Sequence, residues 1–345
     1  MPSAPRGEAT ELRRFRRLLN ATILATFALI VIGGVVRVSD SGLGCGAAGS
    51  GTHGWPLCGG RLLPFLQEHQ VIEFSHRVVA TIVVLLIAAL AIVAVRRLRN
   101  RRWLVRGVIG AAVLVIAQAG LGGLTVEHGL EPALVAAHLG LAMLLLGLLV
   151  ALRRLAQGED RAAPLDTSQA LRWTAAVATV LVFATIVAGG VVAGTEEEGT
   201  TSQPVVGAHL ACGTEFPTCL GKFMPFSYGK MVDIQLTHRL LMYLTAVAIL
   251  AMTAVAVRRR VVMPPDGNRA FLLIPLLLSG QILLGAINVW EGKHPGLIVG
   301  HLTLATILWG TVVYAAASLI PVPEVARASR PQESESAPDT QPVTA

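Results

Sequence analysis

The chain contains few charged residues, which fill only 14% of its 345 positions, and aromatic residues add another 5%. A soluble globular domain normally carries close to twice that share of charge, because its surface must remain in water. Hydrophobic residues make up 53% of the chain, and the mean hydropathy is +0.64. This composition excludes an ordinary soluble enzyme and indicates a polytopic membrane protein.

Long apolar runs are the main feature that the chain does have. Eight of them are long enough to cross about 30 Å of hydrocarbon as α-helices. They cover residues 18–37, 73–95, 103–125, 132–152, 171–194, 233–257, 270–290 and 296–319. The first run is too long for a signal peptide and has a counterpart in the second half, so we expect it to be a true span. The predicted fold class is therefore all-α, with eight transmembrane helices.

Lysine and arginine predict the orientation of these spans. With a cytoplasmic N-terminus, the cytoplasmic side carries 21 of the 28 Lys and Arg, and seven remain on the other side. This bias satisfies the positive-inside rule, so both termini are expected in the cytoplasm. The net charge of +7 follows from this topology, and no nucleic-acid partner is predicted because the chain has no basic soluble domain.

Cysteine is scarce, and its four copies share one side of the predicted membrane. Cys45 and Cys58 fall in the first outer loop, and Cys212 and Cys219 fall in the third. Two cysteines per extracytoplasmic loop predict the disulfides Cys45–Cys58 and Cys212–Cys219. Four unpaired thiols are the open alternative. Zinc is disfavoured, because a closed site needs four ligands and each loop adds only one histidine to its two cysteines.

The chain is an internal duplication. "GGVV" at 33–36 recurs at 189–192, and "IEFSHR" at 72–77 recurs as "IQLTHR" at 234–239. "AQAGLGGLTV" at 117–126 recurs as "GQILLGAINV" at 280–289, and "AAHLGLA" at 136–142 recurs as "VGHLTLA" at 299–305. The offsets are 156, 162, 163 and 163, which indicates a repeat. Four spans per half give both halves the same orientation, as two tandem four-helix bundles related by a pseudo-twofold axis along the membrane normal.

This repeat predicts five segments. A cytoplasmic N-terminal segment (1–17) precedes the N-terminal four-helix half (18–155), and a cytoplasmic linker (156–170) leads to the C-terminal half (171–320). Residues 321–345 are rich in Pro, Ser, Glu and Thr and are expected to form a disordered cytoplasmic tail.

Four of the nine histidines lie inside the predicted spans, and the repeat relates them in pairs. His76 corresponds to His238, and His138 corresponds to His301. In each half they lie near the outer ends of the second and fourth spans, so two imidazoles share one depth. That geometry suits a haem held between two axial ligands. A zinc or copper site would need further ligands, and none recurs in both halves. A single intramembrane histidine is a hydrogen-bonded interior residue as often as it is a ligand, but four histidines in repeat register favour haem.

The neighbours of these histidines differ between the halves. Arg77 and Arg239 follow their histidines directly, where a guanidinium can bind a haem propionate or anchor to lipid phosphate. Glu73 lies one helical turn from His76 on the same face, and Gln235 replaces it in the second half. The helix N-terminus alone accounts for an anion there, but it does not explain the difference. Since glutamine cannot take a proton, one half is predicted to be reactive and the other supporting.

At these residues the sequence resembles the heme A synthase family, over about residues 15–320. The resemblance rests on "GGVVRVSDSGLGC" with "GWPLCGG", on "IEFSHR", on "GGLTV" with "AAHLGLA", and on "LTHR" with "VGHLTLA". It implies an oxidoreductase of the bacterial cell membrane that converts the C8 methyl group of heme O to the formyl group of heme A for cytochrome oxidase. The conversion is expected to proceed by successive hydroxylations with water-derived oxygen.

The resemblance also implies roles for the singled-out residues. His76 and His138 would be the axial iron ligands of heme O or its product, heme A, in the N-terminal half. Glu73 would be the catalytic carboxylate, and His238 with His301 would ligate a heme b cofactor in the C-terminal half. The first loop departs from the second, because twelve residues separate its cysteines where the second loop has six.

Partners and rival functions complete the prediction. Heme O and membrane lipid are the implied partners, with heme O synthase (protoheme farnesyltransferase), cytochrome oxidase assembly factors and a second copy of the chain as further candidates. The alternative function is a diheme b-type membrane electron-transfer protein without haem-modifying activity, for which both halves should carry the same residue before histidine. A transporter with parallel repeats should instead show broken helices and polar residues at mid-membrane.

Overall fold

The structure is a computed structural model that describes residues 6–63, 67–157, 168–195, 198–200, 203–205, 207–258, 265–292 and 294–320. Within these ranges, eight helices are long and apolar enough to cross a membrane, which confirms the predicted all-α fold. They are α1 (Arg6–Val38), α2 (Glu68–Arg97), α3 (Arg102–Glu127), α4 (Pro132–Leu155), α5 (Gln169–Gly194), α6 (Lys230–Arg258), α7 (Pro265–Trp290) and α8 (Pro295–Ala317). Two three-residue strands, β1 (Glu198–Thr200) and β2 (Gln203–Val205), form an antiparallel hairpin between α5 and α6.

Several helices begin earlier than the apolar runs predict. Helix α1 starts at Arg6 instead of residue 18, and the added turns are amphipathic, with Phe15 fully buried and Arg14 exposed. Helix α2 starts at Glu68 instead of residue 73, so His69 lies within it as a fifth helical histidine on these spans. A hydropathy window detects only the apolar part of a helix and misses turns that carry charge.

Each half closes into a ring of four helices. Helix α1 packs against α2 and α4, and α3 packs against the same two helices. The second half repeats the arrangement, since α5 and α7 both pack against α6 and α8. Helices α2 and α4, which carry His76 and His138, therefore occupy opposite corners of one bundle, as do α6 and α8 of the other.

Contacts between the halves are reciprocal. Helix α4 packs against α5, its equivalent α8 packs against α1, and α4 and α8 pack against each other. Arg37 at the end of α1 donates from Nε to the carbonyl of Ala193, its own repeat counterpart, at 3.0 Å. A residue can contact its counterpart only near a symmetry axis, so these contacts are the pattern that a twofold relation predicts. The direction of the axis relative to the membrane stays a prediction.

The two large apolar cores lie away from the disulfide loops, and a small third cluster packs Cys212 and Cys219 against Val232 and Leu236. We call the loop between α1 and α2 the first disulfide loop and the loop between α5 and α6 the second, and the end of the bundles that carries them the disulfide end. In the first half the buried cluster takes its members from the opposite end, including Leu19, Leu90, Val108 and Leu149. A second cluster occupies the same end of the other half and extends across to α4. The histidines therefore lie in the part of each bundle that these cores do not fill.

Candidate haem sites

The four repeat-related histidines occupy matching registers of their helices. His76 and His238 are the ninth residues of α2 and α6, and His138 and His301 are the seventh residues of α4 and α8. At a rise of 1.5 Å per residue these positions lie about 12 Å and about 9 Å from the start of each helix. His76 and His138 are close enough to interact electrostatically, as are His238 and His301. The structure thus forms one imidazole pair in each bundle.

A glycine on a neighbouring helix faces each imidazole ring. A Cβ atom at that glycine would lie between 2.9 and 3.2 Å from the Cε1 atom of the ring, closer than ordinary van der Waals contact. Only glycine therefore leaves the rings where they are. The pairs are Gly33 with His76, Gly122 with His138, Gly189 with His238 and Gly285 with His301. Repeat positions supply both members of every pair, so the two bundles cradle their imidazoles in the same way.

The imidazoles keep nitrogen atoms free for a ligand. His238 places Nδ1 at 3.0 Å from the carbonyl oxygen of Thr185, a contact that orients the ring and leaves Nε2 available. The Nδ1 atoms of His76, His138 and His301 are buried and have no hydrogen-bond partner among the residues that the structure describes. All four side chains are only partly covered by protein atoms. Native proteins rarely leave buried polar atoms unsatisfied, so these imidazoles are not ordinary hydrogen-bonded interior residues.

A haem fits this donor set better than a bare metal ion does. Within the described ranges, no cluster of three or more His, Cys, Asp or Glu could hold an ion. A haem brings four equatorial nitrogens of its own and needs only two axial imidazoles from the protein. The paired histidines, their free nitrogens and the glycine cradles agree with that requirement.

Two glutamines beside the histidines escaped the sequence analysis. Gln118 donates from Nε2 to the backbone carbonyl of His138 at 3.0 Å, and Gln281 lies 3.1 Å from Nε2 of His301. Both belong to the aligned segments "AQAGLGGLTV" and "GQILLGAINV", so their recurrence in the repeat was the signal that could have identified them. Their Oε1 atoms are buried and lack a partner in the described part of the chain.

Glu73 is held on both of its oxygens. The side chain is only 4% exposed, Oε2 accepts a hydrogen bond from the backbone N of Cys45 at 2.7 Å, and Oε1 pairs with Arg77. Because α2 starts at Glu68, Glu73 is its sixth residue and lies beyond the first helical turn. The helix N-terminus therefore stabilises the charge of Glu73 less than it would if the helix started at residue 73, as predicted. Gln235 is 5% exposed, and its Oε1 has no partner within the described residues. The halves therefore differ in contacts as well as in charge.

The cysteines and arginines meet at the disulfide end. Both predicted disulfides, Cys45–Cys58 and Cys212–Cys219, are present. Arg77 and Arg239 donate hydrogen bonds to carbonyl oxygens of the two disulfide loops. Their binding of haem propionates remains a prediction.

Comparison with known proteins adds an independent line of evidence. A model of the cytochrome oxidase assembly protein family matches residues 16–313. A protein named heme A synthase from Symbiobacterium thermophilum is 30% identical over 328 residues, covering 89% of this chain and 97% of the relative. Proteins of the same name from Shouchella clausii and Alkalihalophilus pseudofirmus are 29% and 27% identical, and each alignment covers 87% of this chain and at least 95% of the relative.

Proposed function

This chain belongs to the cytochrome oxidase assembly protein family, and we propose that it is a heme A synthase that oxidises the C8 methyl group of heme O to a formyl group. The overall change, R–CH3 + H2O → R–CHO + 4 H+ + 4 e−, takes one oxygen atom from water. It removes four electrons from the substrate and releases four protons, two from the methyl group and two from the water. Two successive hydroxylations of the methyl carbon achieve this, because the resulting gem-diol loses water to give the aldehyde.

The two imidazole pairs take different haems in this proposal. His76 and His138 bind the substrate, heme O, in the N-terminal half, and His238 and His301 bind heme b in the C-terminal half. Heme b, when held by His238 and His301, would supply one-electron transfer, with a potential tuned by these histidines and their hydrogen bonds. The hydrogen bond between Thr185 and His238 supports this assignment, since it orients the ring of a resident cofactor ligand.

The choice of the N-terminal half as the reactive half rests on one observation, the burial of Glu73. Within the described ranges it is the one acidic side chain that is buried, and the equivalent residue Gln235 cannot take a proton. In the proposal Glu73 accepts a proton from the water that attacks the oxidised methyl carbon. To do so it must exchange its contact with Cys45 or Arg77 for that water, so binding of the substrate is expected to loosen one of the two contacts.

Haem extraction from the purified protein tests the proposal. We expect heme O or heme A together with heme b in the wild type. Glu73→Gln should retain both haems but accumulate heme O, because only the proton acceptor is removed. Gln235→Glu is the matched control at the equivalent position and should still yield heme A. Production of heme A by Glu73→Gln at the wild-type rate would remove Glu73 from the mechanism.

A diheme electron-transfer protein is the second candidate. The observation in its favour is that both Glu73 oxygens already serve structural contacts, which a purely structural carboxylate would also show. Its expected outcome in the same experiment is heme b in both sites, with no heme O or heme A in any variant.

The remaining proposals concern the cellular setting. We propose that the protein lies in the bacterial cell membrane with both termini in the cytoplasm, which the distribution of Lys and Arg supports. Heme O synthase is the proposed supplier of substrate, because it forms the haem that this reaction consumes. Cytochrome oxidase assembly factors, membrane lipid and a second copy of the chain are further proposed partners.

A further inference from the structure

Arg77 connects helix α2 to the far end of the first disulfide loop. Its Nη1 donates to the carbonyl oxygen of Leu57 at 2.9 Å, and a longer contact of 3.4 Å reaches Pro56. Leu57 directly precedes Cys58 in the chain. Through Nη2 the same guanidinium pairs with Glu73, one turn earlier on the helix.

Glu73 holds the near end of the same loop. Its Oε2 accepts from the backbone N of Cys45, the other member of the disulfide. Two ion-paired residues on adjacent turns of α2 therefore bind the backbone of Cys45 and that of Leu57, the neighbour of Cys58. Charge-assisted hydrogen bonds of this kind are about twice as strong as neutral ones, so the loop is pinned to the helix.

The second half repeats the contact between the arginine and the loop carbonyls. Arg239 is buried, with an exposed fraction of 3%, and donates to the carbonyl oxygen of Thr218 at 2.8 Å and to that of Glu215 at 2.9 Å. Thr218 directly precedes Cys219, as Leu57 precedes Cys58. The guanidinium also lies 5.5 Å from the ring centre of Phe216, within the range of a cation–π contact.

The contact between Glu73 and the backbone of Cys45 has no equivalent in this half among the described residues, because the Oε1 of Gln235 accepts no hydrogen bond there. The same arginine contact thus occurs at equivalent positions in both bundles, although the two loops differ in length. Such recurrence indicates a function of the arginine that does not depend on the details of either loop.

We propose that Arg77 and Arg239 are positioning residues that clamp the disulfide loops onto α2 and α6, and that the first clamp also holds Glu73 in place. The loop clamp stands on the geometry alone. Only the consequence for catalysis, that Arg77 orients Glu73, rests on the proposed function. The paired guanidinium donors bind loop carbonyls and Glu73, whereas Nε of Arg239 has no partner among the described residues.

Disulfide reduction measures the strength of each clamp directly. All four half-cystines are at most 1% exposed, so a reductant reaches them only when the loop opens. Full-length protein in detergent is treated with dithiothreitol, and the freed thiols are counted by maleimide mass tagging. Arg77→Ala should speed reduction of Cys45–Cys58 about tenfold, the change that about 1.4 kcal/mol in loop opening produces, and should leave Cys212–Cys219 unchanged.

Arg239→Ala should show the opposite selectivity, so each variant contains its own control against general misfolding. Arg77→Lys should give an intermediate rate, because an ammonium cannot bind the carboxylate and the carbonyl in the planar fork of a guanidinium. If reduction of the adjacent disulfide is unchanged while haem affinity falls, the arginines are propionate ligands and the clamp is wrong. Equal acceleration of both disulfides would also overturn it.

The positioning of Glu73 has its own spectroscopic readout. The carboxylate stretch of Glu73, assigned by subtracting the infrared spectrum of Glu73→Gln, should shift in Arg77→Ala and stay in place in Arg239→Ala. An unchanged stretch in Arg77→Ala would show that Arg77 does not orient Glu73. This result would leave the proposed heme A synthase activity intact, whereas the absence of heme O and heme A from the wild type would refute that activity and leave the clamp.

Discussion

Replacing Gly122 by alanine tests whether the glycine cradles set the haem sites. A Cβ atom at this position would lie 3.0 Å from Cε1 of His138, whereas ordinary contact begins at 3.4 Å. The ring or helix α3 must therefore move by about 0.4 Å, and overpacking of this kind costs about 1–3 kcal/mol. If the cost falls on the ligating position of the imidazole, haem affinity in the N-terminal half should drop about 5- to 150-fold.

The same helix offers the control. Gly120 lies two residues earlier on α3, and nothing would meet a Cβ atom there within 4 Å. Both variants gain equally in helix propensity, so they differ only in the contact with His138. Haem is added to the purified proteins and followed by its absorption, and the haem content per chain is determined after extraction. Gly122→Ala should lose haem from the first site alone, and equal affinities of the two variants would refute the cradle argument.

Three further predictions address other parts of the molecule. Gln281→Leu removes a group that competes with iron for Nε2 of His301. Heme b affinity should therefore rise about fivefold, which corresponds to the free energy of one hydrogen bond. Weaker binding in a haem titration would show that Gln281 instead holds the ring in its ligating orientation. Arg154→Ala removes a fully buried guanidinium on α4 that donates to Ser318, the residue after α8, at 2.8 Å. The loss should cost about 2–3 kcal/mol and lower the melting temperature in detergent, and an unchanged melting temperature would contradict this. A fluorescent protein that folds only in the cytoplasm should be bright when fused after residue 345, and a dark fusion beside a bright one to a cytoplasmic control protein would reverse the topology.

Local sequence patterns were sufficient to predict the spanning helices, the repeat and the disulfides. Apolar runs longer than about 20 residues have few alternatives to spanning helices, because only a helix satisfies its own backbone in lipid. The nearly constant repeat offset was enough to relate His76 to His238 and to predict that both lie at the same register of their helices. The pairing of cysteines was equally accessible, since each disulfide loop holds two.

Helix boundaries and the surroundings of Glu73 were less accessible. The early start of α2 depends on charged and polar turns around Glu68 that hydropathy does not register. Whether Glu73 is free or engaged depends on the path of the first disulfide loop, which twelve intervening residues of mostly small side chains leave undetermined. The repeat pattern therefore marks Glu73 as a distinctive residue but does not reveal its two partners.

The sequence by itself determined the eight spans, the duplication and the four repeat-related histidines, because each depends on spacing along one chain. Only the tertiary structure decided that a glycine of a neighbouring helix faces every imidazole and that Arg77 and Arg239 bind loop carbonyls. Those contacts join residues far apart in the chain, such as Gly33 and His76, and they exist only once the helices have closed into rings. Helix periodicity specifies which face is apolar, whereas side-chain packing between helices specifies which residue meets which.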